Sequence, residues 1–390
     1  MATQDSGEPW CACACARLLP EFPLLALPPL GRGAFAIVVA ATHGPTGAAV
    51  ALKVSDKTTP QLSDSRVLHR ARAEGRVLQK LSHGNIMKCF GVVEDDEALA
   101  LVLSCEGGES LAALVSTQGA MAETMAAPVI LQLARALRHC HQRKIAHRDV
   151  KLDNCVYDAA TGRVVLCDFG LALIVRSVGS RLDVRCGSPE YCAPELIDSA
   201  SKGYYGPAVD MWALGVAAYT LLCAAFPFGT AQTKICRGAY DKGALDVRGV
   251  SGSAREWIGW ALTVDPNSVQ RVNRISSFDA CRHAWLKPHD AAADAAADAA
   301  GSAAERVPEA LIVAVAEAQR ATEAARRSDG PDQSDADGGA ARSARGQPSV
   351  VSAMQNGAGS EASRTTHERL LEVDATARLL ALSTELADDG

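Results

Sequence analysis

Two short runs narrow the architecture of this chain more than any other feature: His147-Arg148-Asp149-Val150-Lys151-Leu152-Asp153-Asn154 and, further on, Cys167-Asp168-Phe169-Gly170. They lie in the second of two kinds of sequence. Before Gly107-Gly108 the patterns are strand-like. Residues 36–41 and 50–54 are short apolar runs split by the turn-rich His43-Gly44-Pro45-Thr46-Gly47, and residues 87–93 and 99–103 are two further strand candidates. Only residues 67–81 recur there at helical spacing. After the glycine pair, residues 126–143, 208–223 and 254–262 carry apolar positions at helical spacing. A mostly β front and a mostly α back predict two lobes with a cleft between them.

Composition limits the classes of function. At 390 residues there is room for one large catalytic domain and an appendage. A net charge of -6 leaves no basic footprint, so no nucleic-acid partner is expected. Thirteen cysteines without an evenly spaced framework read as reduced, mostly buried thiols in a cytoplasmic or nuclear setting. No stretch reaches the roughly 18 consecutive apolar residues of a membrane span, and residues 213–226 read as a buried helix. The N-terminus, with Asp5 and Glu8 and no basic cluster, is not a secretory signal.

Three regions follow: a leader at 1–25, a globular domain at 26–286 and a tail at 287–390. Cys11, Cys13 and Cys15 alternate with alanine in the leader, but no ligand partner for a metal stands near them, and the leader is expected to be disordered. The Ala-rich tail is expected to be mostly disordered, with conditional helices near 307–326 and 365–386.

Upstream of the two runs, Gly31-Arg32-Gly33-Ala34-Phe35-Ala36-Ile37-Val38 falls at a strand–turn–strand position, where glycine lets a backbone approach phosphate oxygens closely. Val50-Ala51-Leu52-Lys53 places a lysine on the next strand, and Glu74 lies on the following helix. Taken with the two runs, the set resembles the Ser/Thr protein kinase superfamily, and most closely its calmodulin-dependent and AMP-activated group. Residues 187–195 resemble the end of an activation segment, and Asp210-Met211-Trp212-Ala213-Leu214-Gly215 resembles the central helix of the large lobe.

The resemblance implies an α+β, bilobal protein-kinase fold. Its small lobe, 26–104, is mostly antiparallel β with one key helix, and its larger lobe, 105–286, is mostly α. It implies phosphoryl transfer from ATP with Mg²⁺ to Ser or Thr of protein substrates. Asp149 would orient the substrate hydroxyl, Lys151 would sit on the γ-phosphate, and Asn154 and Asp168 would hold the metal. Lys53 would bind the α- and β-phosphates, paired with Glu74. Gly31, Arg32, Gly33, Ala34 and Phe35 would cover the nucleotide, with Val38, Ala51 and Val156 stacking on adenine. Leu78, Cys89, His147 and Phe169 match the column assembled in active kinases. The hinge falls at Val102, Leu103 and Ser104 with one residue fewer than usual, which leaves Val102 or Leu103 as the gate to the back pocket. Ala36 replaces the third glycine of the nucleotide loop. A pseudokinase scaffold, binding nucleotide or partners without transfer, is the alternative.

Three finer expectations follow. Arg148 is of the type that pairs with an activation-loop phosphate, yet the usual phosphosite falls on Val184, so Asp183 is expected to substitute in part. Glu109 and Asp153 match positions that receive substrate arginines upstream of the target. Glu195 is expected to pair with Arg274 or Arg271, and the tail is a candidate to dock a regulator or the kinase domain itself. Cys167 is expected to face the nucleotide.

Overall fold

The strands of the small unit carry apolar side chains on both faces, so each face needs a cover. The computed structural model describes residues 9–23, 29–32, 36–58, 65–175, 181–198, 203–229, 231–264, 274–295 and 308–328. They fall into two compact units, one built on an antiparallel sheet and the other mostly helical, an α+β composition. The first unit holds α1 (Pro9–Leu18), β1 (Gly31–Arg32), β2 (Ile37–His43), β3 (Ala48–Asp56), β4 (Cys89–Glu94) and β5 (Ala98–Ser104). Its five strands form one antiparallel sheet in the order β1-β2-β3-β5-β4. Helix α2 (Ser65–Leu78) starts in this unit and ends in the second.

Pleating sorts the sheet residues cleanly. One face presents Ile37, Val39 and Ala41 of β2, Val50, Leu52 and Val54 of β3, Val93 of β4, and Ala98, Ala100 and Val102 of β5. That face is covered from both ends of the chain. Cys11, Ala14, Cys15 and Leu18 of α1, followed by Leu19 and Phe22, pack on it beside Leu311 and Val315 of a late helix, α12 (Glu309–Ser328).

The leader is therefore ordered from Pro9 to Pro23, against the expectation of disorder. The physical reason is spacing: 11, 14, 15 and 18 form one stripe of a helix, and cysteine behaves there as a small hydrophobe. Arg17 adds a polar clamp, donating to Glu97 Oε2 at 2.7 Å and to Asp95 Oδ1 at 3.2 Å in the β4–β5 turn. The tail helix α12 lies on β4 of this sheet. The segment 365–386 lies outside the described residues.

The second unit adds β6 (Glu109–Ser110), α3 (Leu111–Gln118), α4 (Glu123–Gln142), β7 (Ile145–Ala146), β8 (Cys155–Asp158), β9 (Arg163–Leu166), β10 (Leu173–Ile174), α5 (Pro194–Ile197), α6 (Gly206–Cys223), α7 (Gln232–Arg237), α8 (Lys242–Val247), α9 (Gly252–Ala261), α10 (Ser277–Ala280) and α11 (residues 290–295). Its core is α6, packed on α4 and α9. By length and a mean hydropathy of 1.3, α6 could cross a membrane, but it is 83% buried inside this unit and serves as its central core helix. Gly215 permits the close approach of α9, since a β-carbon there would lie 2.7 Å from that of Ala261. Small paired strands, β6-β8-β9 and β7-β10, carry the loops that hold the polar residues of interest.

Candidate active site

Buried Asp210, on the first turns of α6, organises the loop that follows β7. Its carboxylate accepts the backbone N–H of His147 at 2.9 Å and of Arg148 at 2.7 Å, and His141 lies 2.8 Å from the same group. Those bonds hold Arg148 at φ 67°, a left-handed conformation that non-glycine residues seldom adopt. The turn brings Asp149, Lys151 and Asn154 together. Asn154 donates from Nδ2 to the Asp149 carbonyl at 2.9 Å and to Asp149 Oδ2 at 3.2 Å. Lys151 Nζ is 3.4 Å from Asp149 Oδ2.

Ser188, which the sequence reading left without a role, completes the cluster. Its N–H and Oγ both donate to Asp149 Oδ1, at 3.1 and 3.0 Å, and Lys151 donates to its Oγ at 3.0 Å. Tyr191 is a second such residue: its hydroxyl accepts the N–H of Leu152 at 3.3 Å. Neither is legible locally, because each acts on a loop far away in sequence. A small depression beside the cluster is lined by Asp149, Cys186, Ser188, Cys192 and Leu196 among others.

After β9, the backbone N–H of Cys167 donates to the Asn154 carbonyl at 2.8 Å, which ties the second run to the first. Asp168 is exposed and held at φ 55°, and its Oδ1 accepts the N–H of Gly170 at 3.3 Å. Phe169 is fully buried, edge-on to His147 at 4.6 Å. Cys167, next to Asp168, is buried. Burial pushes its thiol far up, so it stays protonated and inert.

The remaining candidates are divided between the two units. Gly31 and Arg32 form β1, whereas Gly33, Ala34 and Phe35 lie outside the described residues. Val38, Ala51 and half-buried Lys53 share the face of β2 and β3 opposite α1 and α12. Register places Leu103 opposite Ala51 on that same face, while Val102 points into the cluster under the two helices. Val102 therefore does not line the Lys53 face with its side chain. Ser104 ends β5. In the second unit, Glu74 is buried on α2 and Val156 lies half-buried on β8.

Two open pairings are decided. Arg274 donates to both Glu195 oxygens, at 2.6 and 3.0 Å, while Arg271 lies outside the described residues. Arg148 does not engage Asp183. Its guanidinium donates to the carbonyl of Leu171 at 2.7 Å and to the hydroxyl of Tyr204 at 3.2 Å, and Asp183 is exposed beside Gly203.

Comparison with known proteins agrees with this geometry. Residues 26–286 match the protein kinase domain family. A serine/threonine-protein kinase SIK3 homolog from Danio rerio is 35% identical over 67% of this chain and 21% of its own length. A probable myosin light chain kinase from Dictyostelium discoideum is 33% identical over 66% of this chain and 65% of its own. The crystal structure of Rad53 1-466 in complex with AMP-PNP aligns with a TM-score of 0.56 and 32% identity, covering 68% of this chain and 65% of that one. The chain thus spans less than two thirds of each of these relatives. With the Asp149 loop, Asp168 turn and Glu195–Arg274 pair in place, and with the family match running across most of the chain, this protein belongs to the protein kinase family.

Proposed function

We propose that this chain transfers the γ-phosphate of ATP to Ser or Thr hydroxyls of protein substrates. The observation that carries the reading is the Asp149 cluster, in which Asn154, Lys151 and Ser188 aim one carboxylate and place a cation beside it. Phosphoryl transfer asks a protein chiefly for positioning and charge stabilisation, and this cluster supplies both. Asp149 accepts the hydrogen bond of the substrate hydroxyl and orients its oxygen, and Lys151 stabilises the transferring group.

The residues fit Mg²⁺. Asn154 spends its Nδ2 on Asp149, which leaves its amide oxygen as the metal ligand, and Asp168 offers an exposed carboxylate. Hard oxygen ligands in so small a number suit an ion that takes its other contacts from phosphates and water. When bound, the ion neutralises charge on the phosphate oxygens. Lys53 binds the α- and β-phosphates. Gly31, Arg32, Gly33, Ala34 and Phe35 are assigned to cover them, and Val38, Ala51 and Val156 are assigned to adenine. Leu103, sharing the Ala51 face, is the gate to the back pocket, and Ser104 lies in the hinge.

Half-buried Glu109, on the strand β6 that pairs with β8, and exposed Asp153, within the 147–154 run, favour substrates with upstream arginine. The test uses the full chain, Mg²⁺, labelled ATP and Ser/Thr peptides with and without upstream Arg, with Asp168→Asn as control. Transfer abolished in the control supports the reading. ATP binding without transfer by the wild-type chain would favour a pseudokinase scaffold, and equal rates on both peptides would remove the arginine preference.

A further inference from the structure

Arg148 in this protein has a partner of an unusual kind. Residues 181–187 read Arg-Leu-Asp-Val-Arg-Cys-Gly and contain no hydroxyl to phosphorylate. The guanidinium meets the phenol of Tyr204, which is 2% exposed and stands just before α6. That phenol in turn donates to the carbonyl of Val184 at 2.8 Å. The same tyrosine pairs through its backbone with Leu182, N–H to carbonyl in both directions at 2.8 and 2.9 Å. Gly203, at φ 83°, makes the turn that allows this: a β-carbon there would lie 3.0 Å from the Leu182 carbonyl.

One residue therefore pins the segment 182–184 and the arginine beside Asp149 together, using a hydroxyl and two backbone bonds. Ser188, whose Oγ holds Asp149, lies only four residues beyond Val184 in the same segment. Burial pushes the Tyr204 phenol up to about 12, so it remains a donor at neutral pH.

We infer that Tyr204 is a positioning residue that takes the place of an activation-segment phosphate: its hydroxyl couples Arg148 to Val184 and keeps the segment ordered in the unphosphorylated chain. Elsewhere in the kinase family a phosphate orders this loop through arginine. The inference rests on the kinase reading, and its test separates the two. Wild-type chain and Tyr204→Phe are compared by steady-state transfer to a Ser peptide, before and after phosphatase treatment, and by hydrogen exchange of the peptide covering 181–187.

The expected result is a wild-type rate indifferent to phosphatase. Tyr204→Phe should lower kcat about ten- to a hundredfold, as for a lost hydrogen bond to a charged group, with the KM for ATP unchanged. Exchange should rise in 181–187 and stay unchanged in α6. Full kcat with unaltered exchange in Tyr204→Phe overturns the inference, as does wild-type activity destroyed by phosphatase. The phosphatase arm decides even if Tyr204→Phe fails to fold. A wild-type chain without transfer defeats the kinase reading instead, while exchange still reports on the pin.

Discussion

Val315 of α12 occupies the space that a side chain on Gly91 would need. A β-carbon at Gly91 would lie 2.4 Å from Val315 Cγ1, so the late helix and strand β4 are fitted to each other across more than two hundred residues of sequence. Gly91→Ala should therefore force α12 outward and cost about 1–3 kcal/mol, the usual penalty of overpacking. Val315→Ala in the same chain should recover part of that loss. Urea denaturation of the four proteins of this cycle measures the coupling, and simple additivity would show that the helix does not pack there.

The two covering helices are predicted to be part of the folded small unit. Leu18 and Leu311 are 3% and 1% exposed in the shared cluster, and truncation of either to Ala should cost about 2–5 kcal/mol. A chain ending near residue 288 loses α12 and leaves Val93 and its apolar neighbours open to water, so it should melt earlier and self-associate. Light scattering and thermal melts compare it with the full chain. A monomer of equal stability would mean that α12 is dispensable.

The Asp149 loop was legible because the chemistry its resemblance implies asks for Asp149, Lys151 and Asn154 close together in sequence, with Asp168 soon after. Asp210 entered through the resemblance of residues 210–215 to the central helix of the large lobe, and the fold adds the bonds it accepts from His147 and Arg148. Tyr204 was not legible, because its partners are a backbone carbonyl and a side chain that only the tertiary fold brings near. The choice between Val102 and Leu103 turned on strand register, where a shift by one residue exchanges the two faces. Helix α1 was misread because its stripe is built from Cys and Ala, whose weak polarity contrast hides the period. A signal was nevertheless present. Leu99 to Leu103 is apolar at every position, which requires cover on both faces of the sheet and hence material beyond a bare domain.

Acid should weaken the fold through His83. Burial, then the nearby His139, Arg135 and Arg143, lower its pKa from 6.5 to about 4, and the two imidazoles lie 5.1 Å apart. The folded chain therefore binds fewer protons than the unfolded one between these values. Stability should be complete above pH 6.5, fall as pH drops through that window, and level off below about 4. His139 is lowered too and adds to the slope. Denaturant melts from pH 7.5 to 5 should show a shallower decline for His83→Asn than for wild type, and parallel declines would refute the assignment.

Breaking the Glu195–Arg274 pair should be among the costliest single changes in the large unit. The Arg274 side chain is 1% exposed, and that of Glu195 is 10%. Beyond its two bonds to Glu195, the guanidinium donates to the carbonyls of Thr263 and Ala208 and lies 5.0 Å from the ring of Trp212. Arg274→Met would strand a nearly buried carboxylate and three carbonyl acceptors, counting Val264, and about 3–5 kcal/mol should be lost. Glu195→Gln keeps a hydrogen-bond acceptor and should cost less. Adding it to Arg274→Met removes the stranded charge, so the double variant should be more stable than Arg274→Met alone. Chemical denaturation of the three variants decides the point, and a double variant that is weaker than either single one would mean that the arginine acts through its carbonyl and ring contacts instead of through Glu195.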